Sequence, residues 1–494
     1  MYQAPLSNQD LQPSTTPPTN HEADIEKAAA VQHRPQIKLL PSEDPTTWST
    51  PLKWSSTLII VLMTTCVTLT SSIHTAAIPS ITTTFTCTPT LATLGITMFL
   101  LGFASGPMLF APLSETLGRQ LVFRITMGLF VVFNVGCAVG SNLVMLLVMR
   151  FLSGFFGSPV VTNSGGCLAD VWSQEERSVP FALFTMGSSV GPVLGPIAGG
   201  FIAQYLEWRW LYWIVSIVSG IVYVAMVFLL PETYAPVLLQ RKRRKHGVGS
   251  PRRSFREQYA TNLTRPWLML FTEPILLVLG LYSAFVWGIL YLDFTAYPVV
   301  FRQTRHWSEG ISNLSLLGIG SGMAIATAAS PWINVLHGIW CKKLGGPKPE
   351  ARLPHLVIIA WFIPVALFWF GWTANPPTHW IVCVLSGVPF GTGFVALFLG
   401  TNAYLTDCYG RFSASALAAN AVMRSLFTAG FPLFARQMYI EIGTPWASSI
   451  LGFVALAMAP VPWLFFRYGP WIRARSKYHL WTVELEEAEK ERGR

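Results

Sequence analysis

Apolar stretches long enough to cross a lipid bilayer recur along this sequence and restrict the folds open to it. A helix of about 20 apolar residues spans the hydrocarbon core of a bilayer. We count twelve stretches, near residues 55–78, 91–113, 121–140, 143–166, 180–203, 209–230, 274–300, 311–336, 354–373, 378–404, 414–438 and 446–468. The eighth and eleventh are polar enough that hydropathy alone does not establish them. The sequence predicts an all-α polytopic membrane protein with twelve transmembrane helices in two six-helix bundles.

The low share of charged residues argues against a water-soluble protein of this length. Charged residues make up 12% of the 494 residues, and hydrophobic residues make up 52%. Soluble domains contain about 25% charged residues, because their surface faces water. We therefore expect the lipid bilayer to cover most of this protein's surface.

Lysine and arginine cluster in alternate loops, which predicts the orientation of the chain in the membrane. The connection after the sixth stretch carries Arg241, Lys242, Arg243, Arg244, Lys245, Arg252, Arg253 and Arg256. Further basic residues on the same side are Arg119, Arg177, Lys342, Lys343 and Arg411, with Arg209, Arg302 and Arg305 as exceptions on the other side. Both termini are predicted to be cytoplasmic. The net charge of +10 then reflects orientation, and we expect no nucleic-acid partner.

A charged stretch of about 40 residues separates two groups of six apolar stretches, which indicates a duplicated architecture. The predicted division is a disordered cytoplasmic N-terminal tail (1–53), a six-helix bundle (54–230), a basic cytoplasmic linker (231–273), a second six-helix bundle (274–468) and a cytoplasmic C-terminal tail (469–494). Such an architecture places a substrate path between the two halves.

Sequence signatures of enzymes and cofactor sites are missing from the chain. There is no G-x-x-x-x-G-K-[ST] motif, so ATP is not the expected energy source. The seven cysteines are scattered without metal or disulfide spacing. No Ser/His/Asp set or H-E-x-x-H motif is present. We predict no enzymatic activity, no cofactor and no metal.

The segment "PLSETLGRQ" links the second and third stretches on the predicted cytoplasmic side. Glu115 and Arg119 are four residues apart, a spacing at which opposite charges pair across one helical turn. Gly118 between them allows a tight turn. An ordinary charged loop is the alternative interpretation.

The segment "RFLSGFFGSP" places Arg150 inside the fourth stretch, with Gly154 and Gly157 on the same helical face. An arginine within the bilayer costs at least about 2.5 kcal/mol unless it faces protein or water. We therefore predict that Arg150 is a cation facing a cavity.

The segment "GSSVGPVLGPIAGG" loads the fifth stretch with helix breakers. Gly187, Gly191, Gly195 and Gly199 recur every fourth residue, Pro192 and Pro196 follow two of them, and Gly200 ends the run. Small residues at this spacing allow two membrane helices to approach closely, and the prolines weaken the helix. We predict a helix that packs tightly yet bends at a moving interface between the halves.

These motifs, in this order, resemble the major facilitator superfamily, specifically its twelve-span drug:proton antiporter branch of the fungal polyamine, multidrug and toxin exporter type. The segments "EWRWLYWI", "LPETYAPVLL", "PEARLP" and "YGRFSASALAANAVMRSLF" are similar to the same branch, and the resemblance covers about residues 50–480. It implies a conformational lock at Glu115, Gly118 and Arg119 and an antiporter motif in the glycine-rich segment. The loop departs from the family pattern at Ala111, Thr116 and Gln120, and the second-half loop "WCKKLGGPKPE" is degenerate.

The resemblance implies a secondary active transporter that works by alternating access. Our leading hypothesis is proton-coupled efflux of a small amphipathic organic compound, such as a drug, toxin or secondary metabolite. The alternatives are a polyamine exporter, proton-coupled nutrient uptake and a non-transporting membrane sensor. The expected partners are a small-molecule substrate, protons and the bilayer. We expect a monomer in the plasma membrane, or alternatively in the vacuolar membrane.

Three interior charges are the candidates for transport and proton coupling. They are Arg150, Asp293 and Arg424, and Asp293 is the one carboxyl well inside an apolar stretch. Burial favours the protonated form of a carboxyl group, so a change of surroundings enables proton exchange. Glu115 and His74 are the next candidates. The aromatic residues Trp287, Tyr291, Tyr297, Phe390 and Phe394 either line a cavity or merely pack.

Overall fold

A computed structural model of the chain describes residues 39–40, 43–173, 175–245, 255–346, 348–478 and 480. Most of the predicted N-terminal tail (1–53) and the greater part of the predicted C-terminal tail (469–494) lie outside the described residues. The linker residues Arg252 and Arg253 lie outside them as well.

The described part of the chain contains helices and no strand. Twelve helical segments are long and apolar enough to cross a membrane, and we number them spans 1 to 12 in chain order. Their bounds are Thr50–Thr84, Pro89–Leu117, Arg119–Ala138, Leu143–Val171, Ser178–Tyr205, Arg209–Leu229, Pro274–Arg305, Glu309–Ala328, Pro354–Thr373, Trp380–Tyr409, Ser413–Glu441 and Thr444–Arg473. The predicted all-α fold with twelve transmembrane helices is confirmed, including the two spans that hydropathy left open.

Some bounds differ from the prediction for identifiable reasons. Span 1 continues beyond its α-helix Thr50–Ile73 through a 3-10 turn, His74–Ala77, into a short helix, Ile78–Thr84. Span 8 ends at Ala328 instead of near 336, and a separate helix, Ser330–Lys343, follows. Pro331 at the start of that helix has no backbone N–H and cannot continue the preceding hydrogen-bond ladder.

The predicted linker is itself partly helical. It contains the helices Ala235–Lys245 and Phe255–Thr272. The first of these bears much of the basic run, and Lys242 forms an ion pair with Glu43 at 2.6 Å. Residues 246–254 between the two helices are outside the described part of the chain.

The same helix pairs recur in the two halves of the chain. Span 1 packs on span 5, span 2 on span 4 and span 3 on span 6; span 7 packs on span 11, span 8 on span 10 and span 9 on span 12. A strict repeat of this kind is typical of a duplicated bundle. On this basis we propose 54–230 and 274–468 as the bounds of the two bundles.

Glycines allow the closest of these helix pairs to touch through their backbones. A Cβ added at Gly102 of span 2 would meet the backbone of Phe151, and one added at Gly154 of span 4 would meet the backbone of Phe99. Spans 8 and 10 show the same arrangement at Gly318, Gly322, Gly387 and Gly391. Small residues at such crossings are how membrane helices gain packing contacts without a hydrophobic driving force.

The two halves are joined at one end of the molecule. We call the end with Gly118 and the linker the basic end and the opposite end the far end. Hydrogen bonds between the halves join Ser71 to Tyr291 (2.6 Å), Thr97 to the carbonyl of Ala429 (2.7 Å) and the N–H of Gly310 to Gln204 (3.0 Å). Gln204 and Gly310 lie at the far end itself, and the other two bonds lie deeper between the spans. These bonds hold the two halves together from the middle of the spans to the far end.

Candidate functional site

The glycine stripe of span 5 lies against span 1. Added Cβ atoms at Gly187, Gly191, Gly195 and Gly199 would meet Thr65, Thr68, Ser72 and Ala76, respectively. At Gly195 the neighbours include backbone atoms, with the carbonyl of Leu69 at 2.6 Å and the N–H nitrogen of Ile73 at 3.0 Å from the added Cβ. Spans 1 and 5 therefore touch backbone to backbone along this stripe.

A hydroxyl group of span 1 compensates for one of the prolines of span 5. Pro196 has no N–H, so the carbonyl of Pro192, four residues earlier, lacks its helical donor. The hydroxyl of Ser72 donates to this carbonyl at 2.6 Å. Thr68 donates to the carbonyl of Gly187 at 3.3 Å. Span 1 therefore supplies the hydrogen bond that span 5 lacks at Pro196.

This placement corrects the prediction that the glycine stripe lies at the interface between the halves. Residues four apart share one helical face, and in this structure that face is covered by span 1 of the same half. An adjacent face of span 5 meets the second half, where an added Cβ at Gly200 would meet Asn313 of span 8. Span 5 thus touches both halves, but through different residues.

Arg150 caps the end of the α-helix in span 1. Its side chain is fully buried and donates to the carbonyls of Thr70 at 2.9 Å, Ser71 at 3.1 Å and Gly95 at 3.0 Å. The last carbonyls of an α-helix have no helical donor, and the α-helix here ends at Ile73. A cation at a helix C-terminus also interacts favourably with the helix dipole.

The surroundings of Arg150 are aromatic and neutral. The guanidinium lies 4.5 Å from the ring centre of Phe99 and 6.0 Å from that of Tyr212. Tyr212 bonds to Nδ1 of His74, and Nε2 of His74 is 2.8 Å from the carbonyl of Ala92. Because a carbonyl only accepts, Nε2 carries a proton. Arg150 was predicted to face a cavity, but in this structure protein encloses it because the carbonyls it caps are themselves buried.

Asp293 lies inside the second bundle. Its side chain is 2% exposed, and Oδ1 has no hydrogen-bond partner. Tyr297, Phe370 and Phe390 line the narrow space beside it, with the rings of Tyr297 and Phe370 stacked at 4.1 Å. Among the described residues, neither Arg150 nor Arg424 has an electrostatic interaction with Asp293. The three predicted coupling residues therefore do not form one cluster in this conformation.

Arg424 lies over an aromatic surface near the middle of span 11. Its guanidinium is 4.3 Å from the ring centre of Trp287 and 5.0 Å from that of Phe398. Phe394 packs on Trp287 with ring centres 4.8 Å apart. Tyr291 interacts electrostatically with Arg424, and its hydroxyl forms a hydrogen bond with that of Ser71 in the first half. Of the five aromatic candidates, Trp287, Tyr291 and Phe394 belong to this group, and Tyr297 and Phe390 surround Asp293.

The predicted lock at the basic end has a different ion pair from the one expected. Span 2 ends at Leu117, Gly118 adopts φ +101°, and span 3 begins at Arg119. Glu115 and Arg119 are thus on different helices, Glu115 is exposed, and Arg119 pairs with Asp170 of span 4 at 2.6 Å. The correction follows from the turn at Gly118, whose backbone conformation favours glycine.

Glu232, which the sequence did not single out, bonds to the backbone at the start of span 3. Its carboxylate accepts from the N–H of Arg119 at 2.9 Å and fills the space above Gly118. A carboxylate at a helix N-terminus satisfies an unpaired N–H and interacts favourably with the dipole. The signals available were Asp170 near the end of span 4 and the acidic residue in "LPETYAP".

The second half has a counterpart that the degenerate loop motif concealed. Arg352, just before span 9, pairs with Asp407 near the end of span 10 at 2.9 Å. Arg473 at the end of span 12 pairs with Glu350 at 2.7 Å. In the helix order of the duplicated fold, Arg352 and Asp407 match Arg119 and Asp170. Each half thus ties its own helices together at the basic end.

We expect Asp170→Asn and Arg119→Ala to lower transport by about tenfold or more, because a hydrogen bond between charged groups contributes about 1.5–3 kcal/mol. The exchanged pair, Arg119→Asp with Asp170→Arg, is expected to recover part of the activity. Glu115→Gln serves as the comparison and is expected to have the smaller effect, since Glu115 is exposed. Transport rates in vesicles at equal protein content test this, and a larger loss from Glu115→Gln would contradict the observed pairing.

The described residues contain no group of three or more His, Cys, Asp or Glu side chains able to hold a metal ion. All seven cysteines are unbridged, at positions Cys66, Cys87, Cys137, Cys167, Cys341, Cys383 and Cys408.

Comparison with known proteins places these features in context. The family model for the Major Facilitator Superfamily matches residues 60–432. The major facilitator superfamily multidrug transporter mdrA of Aspergillus fumigatus is 44% identical over 448 residues, covering 88% of this chain and 74% of that protein. The MFS-type efflux pump MFS2 of Trichophyton rubrum is 41% identical over 457 residues, covering 90% and 77%.

Solved structures show the same fold at low sequence identity. The xylose transporter XylE from E. coli, in a partially occluded inward open conformation, matches with a TM-score of 0.62 and 16% identity. The match covers 84% of this chain and 98% of the XylE chain. At this identity the likeness concerns the arrangement of helices alone.

Proposed function

The chain belongs to the major facilitator superfamily, and from that premise we propose that it exports small amphipathic organic compounds by alternating access. It is a multi-pass membrane transporter and not an enzyme. The observation that supports export best is its 41–44% identity, over most of its length, to proteins named as a multidrug transporter and an efflux pump. The hydrogen bonds that join the halves on the far side support loading from the predicted cytoplasmic side.

Export is tested directly with the purified protein in lipid vesicles. A proton gradient is imposed across inside-out vesicles, and the uptake of a panel of fluorescent amphipathic dyes is measured. Gradient-driven uptake into these vesicles corresponds to export from the cell. Uptake only into right-side-out vesicles would support nutrient import instead, and the absence of any flux would support a membrane sensor.

Proton coupling is part of this proposal, with Asp293 as the carrier. An ionised carboxylate buried among apolar groups without a partner costs free energy, whereas the protonated carboxyl avoids that cost. Asp293 has such surroundings here. If the other conformation admits water to it, Asp293 takes up a proton on one side and releases it on the other. Arg150 and Arg424 would act by electrostatics in that second conformation.

Asp293→Asn is expected to retain cargo binding and to lose the response of transport to an imposed pH gradient. The amide keeps the shape of the side chain but does not titrate in this pH range. The measurement compares gradient-driven uptake with exchange of labelled for unlabelled cargo at equal pH on both sides. Exchange should persist while gradient-driven uptake is lost. Gradient-driven uptake at the normal rate would exclude Asp293 as the proton carrier, and His74 and Glu115 would be tested next.

The charges inside the membrane argue against a polyamine as cargo. A polyamine carries several positive charges and requires several carboxylates. The spans place two arginines, Arg150 and Arg424, in the interior, and Asp293 is enclosed by aromatic rings. Transport of small amphipathic compounds fits these surroundings better. We further propose that one chain suffices as the transport unit, in the plasma membrane or alternatively the vacuolar membrane.

A further inference from the structure

Two hydrogen-bond donors lie side by side near the middle of the second bundle without acceptors. The guanidinium of Arg424 contacts the rings of Trp287 and Phe398, and no hydrogen bond or ion pair of this group is recorded among the described residues. The indole N–H of Trp287 is buried and also lacks a partner. An unpaired cation and an unpaired N–H inside a membrane protein both cost free energy.

The carboxylates of the second half are used elsewhere. Asp407 pairs with Arg352, Glu350 with Arg473 and Glu309 with Arg302. The remaining ones are also accounted for: Glu273 accepts from Tyr409, Glu441 from Gln437, and Asp293 has no arginine as an electrostatic neighbour. Within the described chain, no carboxylate of this half neutralises Arg424.

The position of the two donors favours a cargo site. Arg424 is half-buried although it lies well inside span 11. It contacts spans 7 and 10, which places it on the protein side of its helix. Tyr291, one turn beyond Trp287 toward the far end, reaches Ser71 of the first half. The donors therefore lie on the basic side of a contact that joins the two halves.

We propose that Arg424 and Trp287 bind the carboxylate of an aromatic anionic cargo, an inference that rests on the proposed export function and specifies its substrate class. The planar guanidinium presents paired N–H groups that match a carboxylate. The indole N–H of Trp287 is a further donor beside it. The half-buried ring of Phe398 provides the apolar surface for the aromatic body of the cargo, and the buried ring of Phe394 supports Trp287 from behind.

The test uses three probes that share one ring system and differ in charge: 2-naphthoate, 2-naphthamide and 2-naphthylmethylammonium. Their dissociation constants for the purified full-length protein are measured by calorimetry. We expect 2-naphthoate to bind about ten to a hundred times more tightly than 2-naphthamide, as hydrogen bonds between charged groups allow. The ammonium probe should bind most weakly. Equal affinities for the anion and the amide, or no binding of 2-naphthoate to folded protein, would overturn the proposal.

Variants test whether Arg424 and Trp287 cause the preference for 2-naphthoate over 2-naphthamide. Arg424→Gln removes the charge and is expected to abolish the preference for 2-naphthoate, whereas Arg424→Lys keeps part of it. Trp287→Phe keeps an aromatic ring but removes the N–H. It should weaken the binding of 2-naphthoate alone, by about tenfold. Arg436→Gln, an exposed arginine on the same helix, is the matched control and should change none of the affinities. A full preference in folded Arg424→Gln, verified by its melting temperature, would refute the role of Arg424.

Flux measurements separate this inference from the proposed function. If the wild-type protein prefers 2-naphthoate but moves no compound across vesicles, the carboxylate site stands and export is wrong. If export proceeds and Arg424→Gln exports the anion and the amide in the same ratio as the wild type, export stands and the carboxylate site is wrong.

Discussion

Replacing Gly195 by leucine is expected to abolish export and to lower the melting temperature of the purified protein. An added Cβ lies 2.6 Å from the carbonyl of Leu69 and 3.0 Å from the nitrogen of Ile73. Overpacking costs about 1–3 kcal/mol where side chains are able to adjust. Here two of the three nearest atoms belong to the backbone of span 1, so spans 1 and 5 must separate. Separation would also break the bond from Ser72 to the carbonyl of Pro192.

The matched control is Gly220→Leu in span 6. An added Cβ at Gly220 has no atom within 4 Å, so leucine there should leave both export and the melting temperature near the wild-type values. Export is measured in vesicles and melting in detergent by intrinsic fluorescence. Normal export by Gly195→Leu would mean that the backbone contact between spans 1 and 5 is dispensable.

Arg150→Ala is expected to have a similarly large effect, through unsatisfied backbone groups. Three carbonyls, those of Thr70, Ser71 and Gly95, lose their donor to the arginine. A buried polar group left without a partner costs roughly 1–3 kcal/mol. We therefore expect a marked drop in melting temperature together with loss of export. Arg150→Lys should be intermediate, because one ammonium group does not reproduce the planar set of donors.

The comparison variant is Arg124→Ala, since Arg124 is partly exposed and donates to the carbonyl of Val227 at 3.0 Å. Its melting temperature should fall less than that of Arg150→Ala. An Arg150→Ala protein that melts at the wild-type temperature would contradict the capping role. If it then still lost gradient-driven export, Arg150 would act in coupling instead of in stability.

The spans and the buried charges were predictable because their signals are local. Apolar length decides a membrane span, and the cost of an interior arginine or aspartate marks Arg150 and Asp293 wherever the helices pack. The order of the motifs was sufficient to identify the fold. None of these inferences required knowledge of which helix lies beside which.

The partners of the site residues were not predictable, because each pairing depends on which helices lie side by side. Arg119 pairs with Asp170, 51 positions away, because the chain turns at Gly118. The spacing of Gly191 and Gly195 shows that they share a face, but not that span 1 covers it. Arg352 and Asp407 lie in a half whose loop motif is degenerate, so their pairing becomes visible only when spans 9 and 10 are placed together.

The hydrogen bonds that join the two halves have a consequence for how the two conformations respond to salt. They join hydroxyl, amide and carbonyl groups, and none of them involves a full charge. Water replaces such bonds at a net cost of about 0.5–1.5 kcal/mol each, and ionic strength screens charges but leaves neutral bonds largely unaffected. Opening toward the far side should therefore require the same work in dilute and in concentrated electrolyte.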